Sequence, residues 1–346
     1  MNPLCRLLGL ERPIVQAPMA GVQLGDLAVA VSEAGGLGSL PCALLSPEAI
    51  STELSAIRAR TDRPINVNFF SHRPPTPDAE RERAWRAALR PYYEALGLDP
   101  DEVKPAAGRA PFSAAAAEVL ETLRPAVVSF HFGLPDETLL ARVRGCGARI
   151  LATATTVEEA RWLDARGVDA IVAQGLEAGG HRGMFLSGDV TTQSGTFALV
   201  PQVVRAVGVP VIAAGGVADA RGVAAALALG AAGVQVGTAF LLCPEAKTTP
   251  LHRAALASPA AAHTALTNLL TGGLARGIVN RLIRELGPVS TAAPAFPLAA
   301  AAIAPLRAAA EARGSGDFSS LWAGQNATGC QAIAAGRLTL ELAGAS

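Results

Sequence analysis

The chain has 346 residues, half of them hydrophobic and 17% charged, and its 29 Lys and Arg balance 29 Asp and Glu. This composition excludes a disordered chain. The lack of a basic excess removes the electrostatic footprint of a nucleic-acid or anionic-lipid binder. Length alone suggests two domains at roughly 150 residues each, although an α/β barrel reaches about 200–250 residues as one unit. Aromatic residues are only 4% while glycines number 35. The core must therefore be Ala, Val, Leu and Ile, which suits parallel strands buried under helices.

Short Val- and Ile-rich runs recur along the chain, each followed by a helical pattern. The first run is 12–17, and its helix runs from Asp26 to Ala34 and stops at Gly35-Gly36. The second is Gly38–Leu40, after which Ser46 serves as N-cap of a helix with Pro47 in its first turn. Further runs fall at 64–70, 126–130, 149–153, 169–173, 210–214 and 233–236. Thr156 and Glu159 form a capping-box pattern, and Asp219 reads as another N-cap. Eight strand–helix alternations predict a TIM (β/α)8 barrel. The uncharged tract 222–244 has the hydropathy of a membrane span. Gly230, Gly233, Gln235 and Thr238 interrupt it, so it reads as the barrel's seventh helix and eighth strand.

Two segments fall outside the repeat. Residues 71–111 read as an insertion after strand three, with a helix near Asp78–Leu96. Residues 245–316 read as a small, mainly helical cap after strand eight. The barrel is then 1–244 plus 317–346, with Phe318–Leu342 returning to it as its final helix. The five cysteines are scattered without a CxxC pair, which argues against a disulfide framework and a structural zinc site. Met1–Leu10 has no basic region followed by an apolar one, so a cytoplasmic location is expected. A homodimer is compatible with the sequence, which itself sets no oligomeric state.

A barrel carries its active site at the C-terminal ends of its strands, and six of the eight ends here are polar or Gly-rich. Gly215 and Gly216 follow strand seven, and Gly237 and Thr238 follow strand eight. Backbone N–H groups can approach a ligand closely there, as at the usual phosphate site of a barrel. Asn68 and Gln174 end strands three and six. Each amide suits either the edge of a flavin ring or the ordering of a loop. His181 lies on a Gly-rich loop after strand six, where it is either a base of suitable pKa or a structural side chain. His131 ends strand four and could face the same space. No His, Asp or Glu spacing suggests a metal site.

These same stretches carry a resemblance. Pro13-Ile-Val-Gln-Ala-Pro-Met-Ala-Gly21, the Asn68 turn, Gln174-Gly-Leu-Glu-Ala-Gly-Gly-His-Arg-Gly183, Ala214-Gly-Gly-Val217 and Gln235-Val-Gly-Thr238 resemble the nitronate monooxygenases. So do Ala275–Arg281 and Leu321–Gln325. The likeness implies FMN, held by Met19 through its backbone and by Asn68, Gln174, Gly179, Gly180, Gly215, Gly216, Gln235, Val236, Gly237 and Thr238. It implies His181 as catalytic base, with an alkyl nitronate or nitroalkane and O2 converted to a carbonyl compound and nitrite. The nearest rival on the same barrel is an NAD(P)H-dependent FMN reductase. The sequence departs from the family pattern in its tyrosines, only Tyr92 and Tyr93, and its lysines, only Lys104 and Lys247. It also reads Thr271-Gly-Gly273 where Ser-Gly-Arg is expected.

Overall fold

The computed structural model describes residues 2–100 and 109–345. Its strands, in chain order, are β1 (Ile14–Gln16), β2 (Gly38–Pro41), β3 (Ile65–Phe70), β4 (Val127–His131), β5 (Arg149–Ala154) and β6 (Ala170–Gln174). They continue with β7 (Gly180–His181), β8 (Val211–Ala214), β9 (Gly233–Val236), β10 (Thr264–Thr267) and β11 (Ala275–Ile278). Eight of these are parallel, in the order β1-β9-β8-β6-β5-β4-β3-β2. A bridge between Val15 and Leu37 joins β1 to the start of β2. Bonds from Gln16 N to Leu37 O (2.9 Å) and from Leu37 N to Ile14 O (2.8 Å) close the barrel there. Every run expected as a barrel strand is one.

The caps show why the intervening helices begin where they do. Ser46 Oγ accepts from Ala49 N at 3.2 Å, and Asp219 Oδ1 from Gly222 N at 2.8 Å. Thr156 Oγ1 accepts from Glu159 N at 3.2 Å, but the capping box is not reciprocal. The buried Glu159 carboxylate takes Thr155 N and Oγ1 instead, both at 2.7 Å, and also Phe185 N at 2.7 Å. The acid that would cap a helix thus fastens the loop after β7.

The helices pack their apolar faces on the outside of the barrel in one continuous core. Inside, Val15, Leu37, Leu151, Val172 and Ile212 meet Leu4 and Leu8. The latter two come from a helix, Pro3–Leu8, that plugs the N-terminal end. That leaves only the C-terminal end open to ligands.

The insertion helix Ala79–Leu96 and the helix Ala300–Ala312 share a second core containing Trp85, Leu89, Ile303 and Leu306. Tyr93 Oη donates to Ala302 O at 2.7 Å. Neither amphipathic face has the barrel to cover it, so each covers the other. The cap expected as mainly helical also holds β10 and β11, which pair antiparallel, with β7 as the third strand of their sheet. The final helix is only Ala335–Leu342 and packs beside the helix Gly25–Glu33. Residues 319–330, expected as part of that helix, are irregular instead. No helix among the described residues is long and apolar enough to cross a membrane.

Candidate active site

The C-terminal strand ends open into a pocket of about 1350 Å3, part of it shared with solvent. Met19, Asn68, Gln174, Gly179, Gly180 and His181 line it, and so do Gly215, Gly216, Gln235, Gly237 and Thr238. Val236 does not. Side chains alternate along a strand, so Gln235 and Gly237 face the pocket while Val236 packs in the outer core. The Val236 carbonyl is also taken, by Ala17 N at 2.8 Å.

His181 is held from three directions. Its backbone sits on β7, where it pairs with Ala275 of β11. Its Nε2 lies 2.8 Å from Thr271 Oγ1, so the threonine of the departing Thr-Gly-Gly motif keeps the hydroxyl that a serine would provide. Around the ring stand Phe296 at 5.0 Å, Trp322 at 5.5 Å, Phe70 at 6.0 Å and Phe132 at 6.1 Å between centroids. The ring's neighbours are thus phenylalanine and tryptophan, whereas Tyr92 and Tyr93 are buried in the second core. Phe132 has φ +69°. This left-handed conformation is costly for a bulky side chain and is found mostly where surrounding structure enforces it. Burial holds the His181 pKa well below the ordinary value, with the charges of Arg109, His131 and His72 adding to the effect. His181 is therefore a neutral imidazole at pH 7. No described residue bonds its Nδ1.

The loop that carries His181 is fixed by groups the sequence left open. Gln174 Nε2 donates to His181 O at 2.9 Å, and Gln174 Oε1 accepts from Gly183 N at 2.9 Å. Of the two roles open to this amide, loop ordering is thus realised in the structure. Asn68 Nδ2 donates to Ser129 Oγ at 2.9 Å. His131 Nε2 lies 3.1 Å from the His181 carbonyl and its Nδ1 lies 3.1 Å from Thr153 Oγ1. A carbonyl only accepts, so Nε2 carries the hydrogen and Thr153 donates to Nδ1. Burial lowers the His131 pKa to about 4, which keeps that tautomer neutral.

The two charged neighbours of the histidine serve as struts. Arg182 is buried and donates to Gly175 O (2.6 Å), Gln174 O (2.8 Å) and Gln193 Oε1 (2.8 Å). It thereby satisfies carbonyls at the end of β6. Glu177 accepts from Thr196 N at 2.8 Å and Thr196 Oγ1 at 2.9 Å, which caps the helix Thr196–Ala206.

The Gly turns form a cradle. Gly215 has φ +116° and Gly216 φ +73°. A Cβ on Gly215 would lie 2.9 Å from both Ala178 N and Thr196 Oγ1. Among the described residues, none accepts from the backbone N–H of Gly216, Gly237 or Thr238. The irregular segment 319–330 lies over these turns. Gly324 N donates to Thr238 Oγ1 (2.9 Å), Asn326 Nδ2 to Gly216 O (3.0 Å) and Cys330 Sγ to Thr238 O (3.1 Å). Its Leu321–Gln325 stretch was visible as a motif, but its place over the pocket was not. Arg109, which also lines the pocket, carried no signal in its Pro-rich, charged surroundings.

A family model described as nitronate monooxygenase matches residues 2–343. The chain belongs to the nitronate monooxygenase family. It is 44% identical over 339 residues to a nitronate monooxygenase of Pseudomonas aeruginosa, covering 97% of each chain. To a nitronate monooxygenase of Paraburkholderia phytofirmans it is 43% identical over 340 residues, covering 97% of this chain and 92% of the relative. Its fold is similar to a nitroalkane oxidase from Streptomyces ansochromogenes, with TM-score 0.89, 41% identity and coverage of 99% and 97%. As a member of the nitronate monooxygenase family it is an oxidoreductase, and its pocket sits where a barrel places its chemistry.

Proposed function

We propose that this pocket binds FMN and that the protein oxidises alkyl nitronates, and the parent nitroalkanes, with O2 to a carbonyl compound and nitrite. One observation carries the reading: a neutral, deeply held His181 that lines a ligand-sized pocket beside an aromatic cluster, its Nε2 engaged by Thr271 and its Nδ1 unbonded among the described residues. The cradle fits the cofactor. The N–H groups of Gly216, Gly237 and Thr238, unbonded among the described residues, suit a phosphate, and a side chain at Gly215 would meet Ala178 N and Thr196 Oγ1 and shift the turn that presents them. Asn68 and Gln235 supply amides to the ring system, Gln174 holds the His181 loop beside it, and Met19 supplies main chain. Bound there, FMN supplies the electron-accepting chemistry.

The remaining chemistry belongs to the chain. As a base, His181 uses Nδ1. The hydrogen then resides on Nε2 and is donated to Thr271 Oγ1, whose own hydrogen points toward Gly273 O at 3.4 Å. In this tautomer Nδ1 takes the α-proton of a neutral nitroalkane, and for a nitronate no such transfer is needed. Phe70 and Trp322, which line the pocket, exclude water and accept the alkyl part of the substrate, with Phe132 and Phe296 packed around His181.

The test is anaerobic. The purified protein should be yellow, and propyl-2-nitronate should bleach it without NADH. A colourless protein that stays so with added FMN overturns the cofactor. Bleaching by NADH with none by the nitronate overturns the substrate in favour of a flavin reductase.

A further inference from the structure

Two of the side chains lining the pocket are formally charged, Arg109 and Glu177, and they are not equivalent. Glu177 is fully engaged: three bonds from Thr196 hold its two oxygens. Arg109 is partly buried; its backbone bonds His72, but its guanidinium forms no hydrogen bond or ion pair with another described residue. Among the described residues, the charge acting on it is that of Arg307, and its own charge acts on His181 and His72. The backbone nearby is anchored, with Phe112 N donating to Phe70 O at 2.8 Å beside the aromatic ring. A guanidinium removed from water, with no carboxylate partner among the described residues and with the charge of Arg307 acting on it, is electrostatically incomplete until an anion joins it.

We propose that Arg109 is the specificity-determining cation of this pocket and pairs with the anionic oxygens of the substrate while the neutral His181 stands beside them. The inference rests on the function proposed above and deepens it, by selecting the anionic nitronate over the neutral nitroalkane. It also accounts for the departure in lysine. Lys104 lies outside the described residues, and Lys247 is not among those that line the pocket but pairs with Asp26 at 3.0 Å, so the planar fork of an arginine supplies the positive charge, in a geometry matched to two geminal oxygens.

The test compares Arg109→Met and Arg109→Lys with the wild-type holoenzyme, using flavin content as the check on folding. Arg109→Met should raise KM for propyl-2-nitronate about tenfold or more, the usual scale for losing a charged hydrogen bond. Its kcat/KM for neutral 2-nitropropane should change less than about threefold, a shift too small to be a lost charged bond. Arg109→Lys should recover part of the loss. Nitrite, titrated against the flavin absorbance, gives a readout free of turnover, and its Kd should rise with Arg109→Met by a similar factor. Unchanged nitrite affinity with unchanged nitronate KM would overturn the proposal, and so would equal losses for the charged and neutral substrates. A wild type that binds nitrite through Arg109 but oxidises no nitronate would overturn the proposed function and leave the anion site standing.

Discussion

His131 donates through Nε2 to the main-chain oxygen of His181 at 3.1 Å, so one histidine sets the position of the other without touching its ring. The relationship makes His131 a positioning residue. Replacing it with phenylalanine removes the donor and leaves the His181 carbonyl with Gln174 alone. A displacement of about 1 Å at the reacting centre costs on the order of 100-fold. His131→Phe should therefore lower kcat/KM for 2-nitropropane by roughly that factor while the flavin content stays at the wild-type level. Steady-state kinetics alongside an absorbance spectrum would check it, and equal loss of flavin and activity would show a folding defect instead.

His181 itself should behave as a base whose need depends on the substrate. His181→Asn should cut turnover of a neutral nitroalkane by about 100- to 10,000-fold, the span of general-base contributions. It should spare an anionic nitronate by comparison, since that substrate brings no α-proton to remove. The pH profile carries a sign. Burial first, then the neighbouring cations, lowers the His181 pKa, so the neutral, active form persists into acid. The acid limb of kcat/KM for the nitroalkane should fall below the ordinary value of about 6.5. A limb at 7 or above would contradict the buried, cation-flanked environment.

The barrel was legible because each of its strands is a short apolar run ended by a turn, and because Ser46, Thr156 and Asp219 announce the helices they cap. The pocket was legible in part, because residues at strand ends have a position that topology dictates. What stayed hidden depends on contacts between distant segments. Nothing near His181 in sequence says that Ala275 pairs with it or that Thr271 meets its ring, some 90 residues away. The Ala-rich surroundings of β10 and β11 read as helix, yet the two pair with each other and β11 takes β7, far earlier in the chain, as its second neighbour. The alternatives at Gln174 could not be separated either, since an amide serves both and only the positions of His181 O and Gly183 N decide. Val236 was included because it stands in the Gln-Val-Gly-Thr motif, although the alternation of the strand turns it outward.

The Gly cradle yields a binding prediction independent of turnover. Gly216 has φ +73° and Gly215 φ +116°, so a side chain at either strains the backbone, and at Gly215 it also meets Ala178 N and Thr196 Oγ1. An alanine in a left-handed conformation costs about 1–2 kcal/mol, enough to move the turn and misplace its free N–H groups. Gly215→Ala should therefore raise the Kd for FMN at least about tenfold by the same energy scale. Fluorescence quenching of FMN titrated with the flavin-stripped protein would measure it. Wild-type affinity would remove Gly215 from the phosphate site.

Acid should destabilise the fold before its carboxylates titrate. Burial lowers the pKa of both His131 and His252 to about 4, whereas in the unfolded chain each returns to about 6.5. Below pH 6.5 the unfolded state binds protons that the folded state refuses. Stability present above that value is then lost as the pH falls toward 4. Between pH 7.5 and 5.5 each histidine should contribute a loss of about 1.4 kcal/mol, or about 3 kcal/mol for the two. His252 isolates one share of this loss, because its buried Nε2 has no partner among the described residues. His252→Leu should therefore retain about half of the acid sensitivity of the pair. Urea midpoints of the holoenzyme at pH 7.5, 6.5 and 5.5 would show it. A wild-type midpoint that does not move across that window would mean that these imidazoles are protonated in the folded state, and that the dry surroundings assigned to them are wrong.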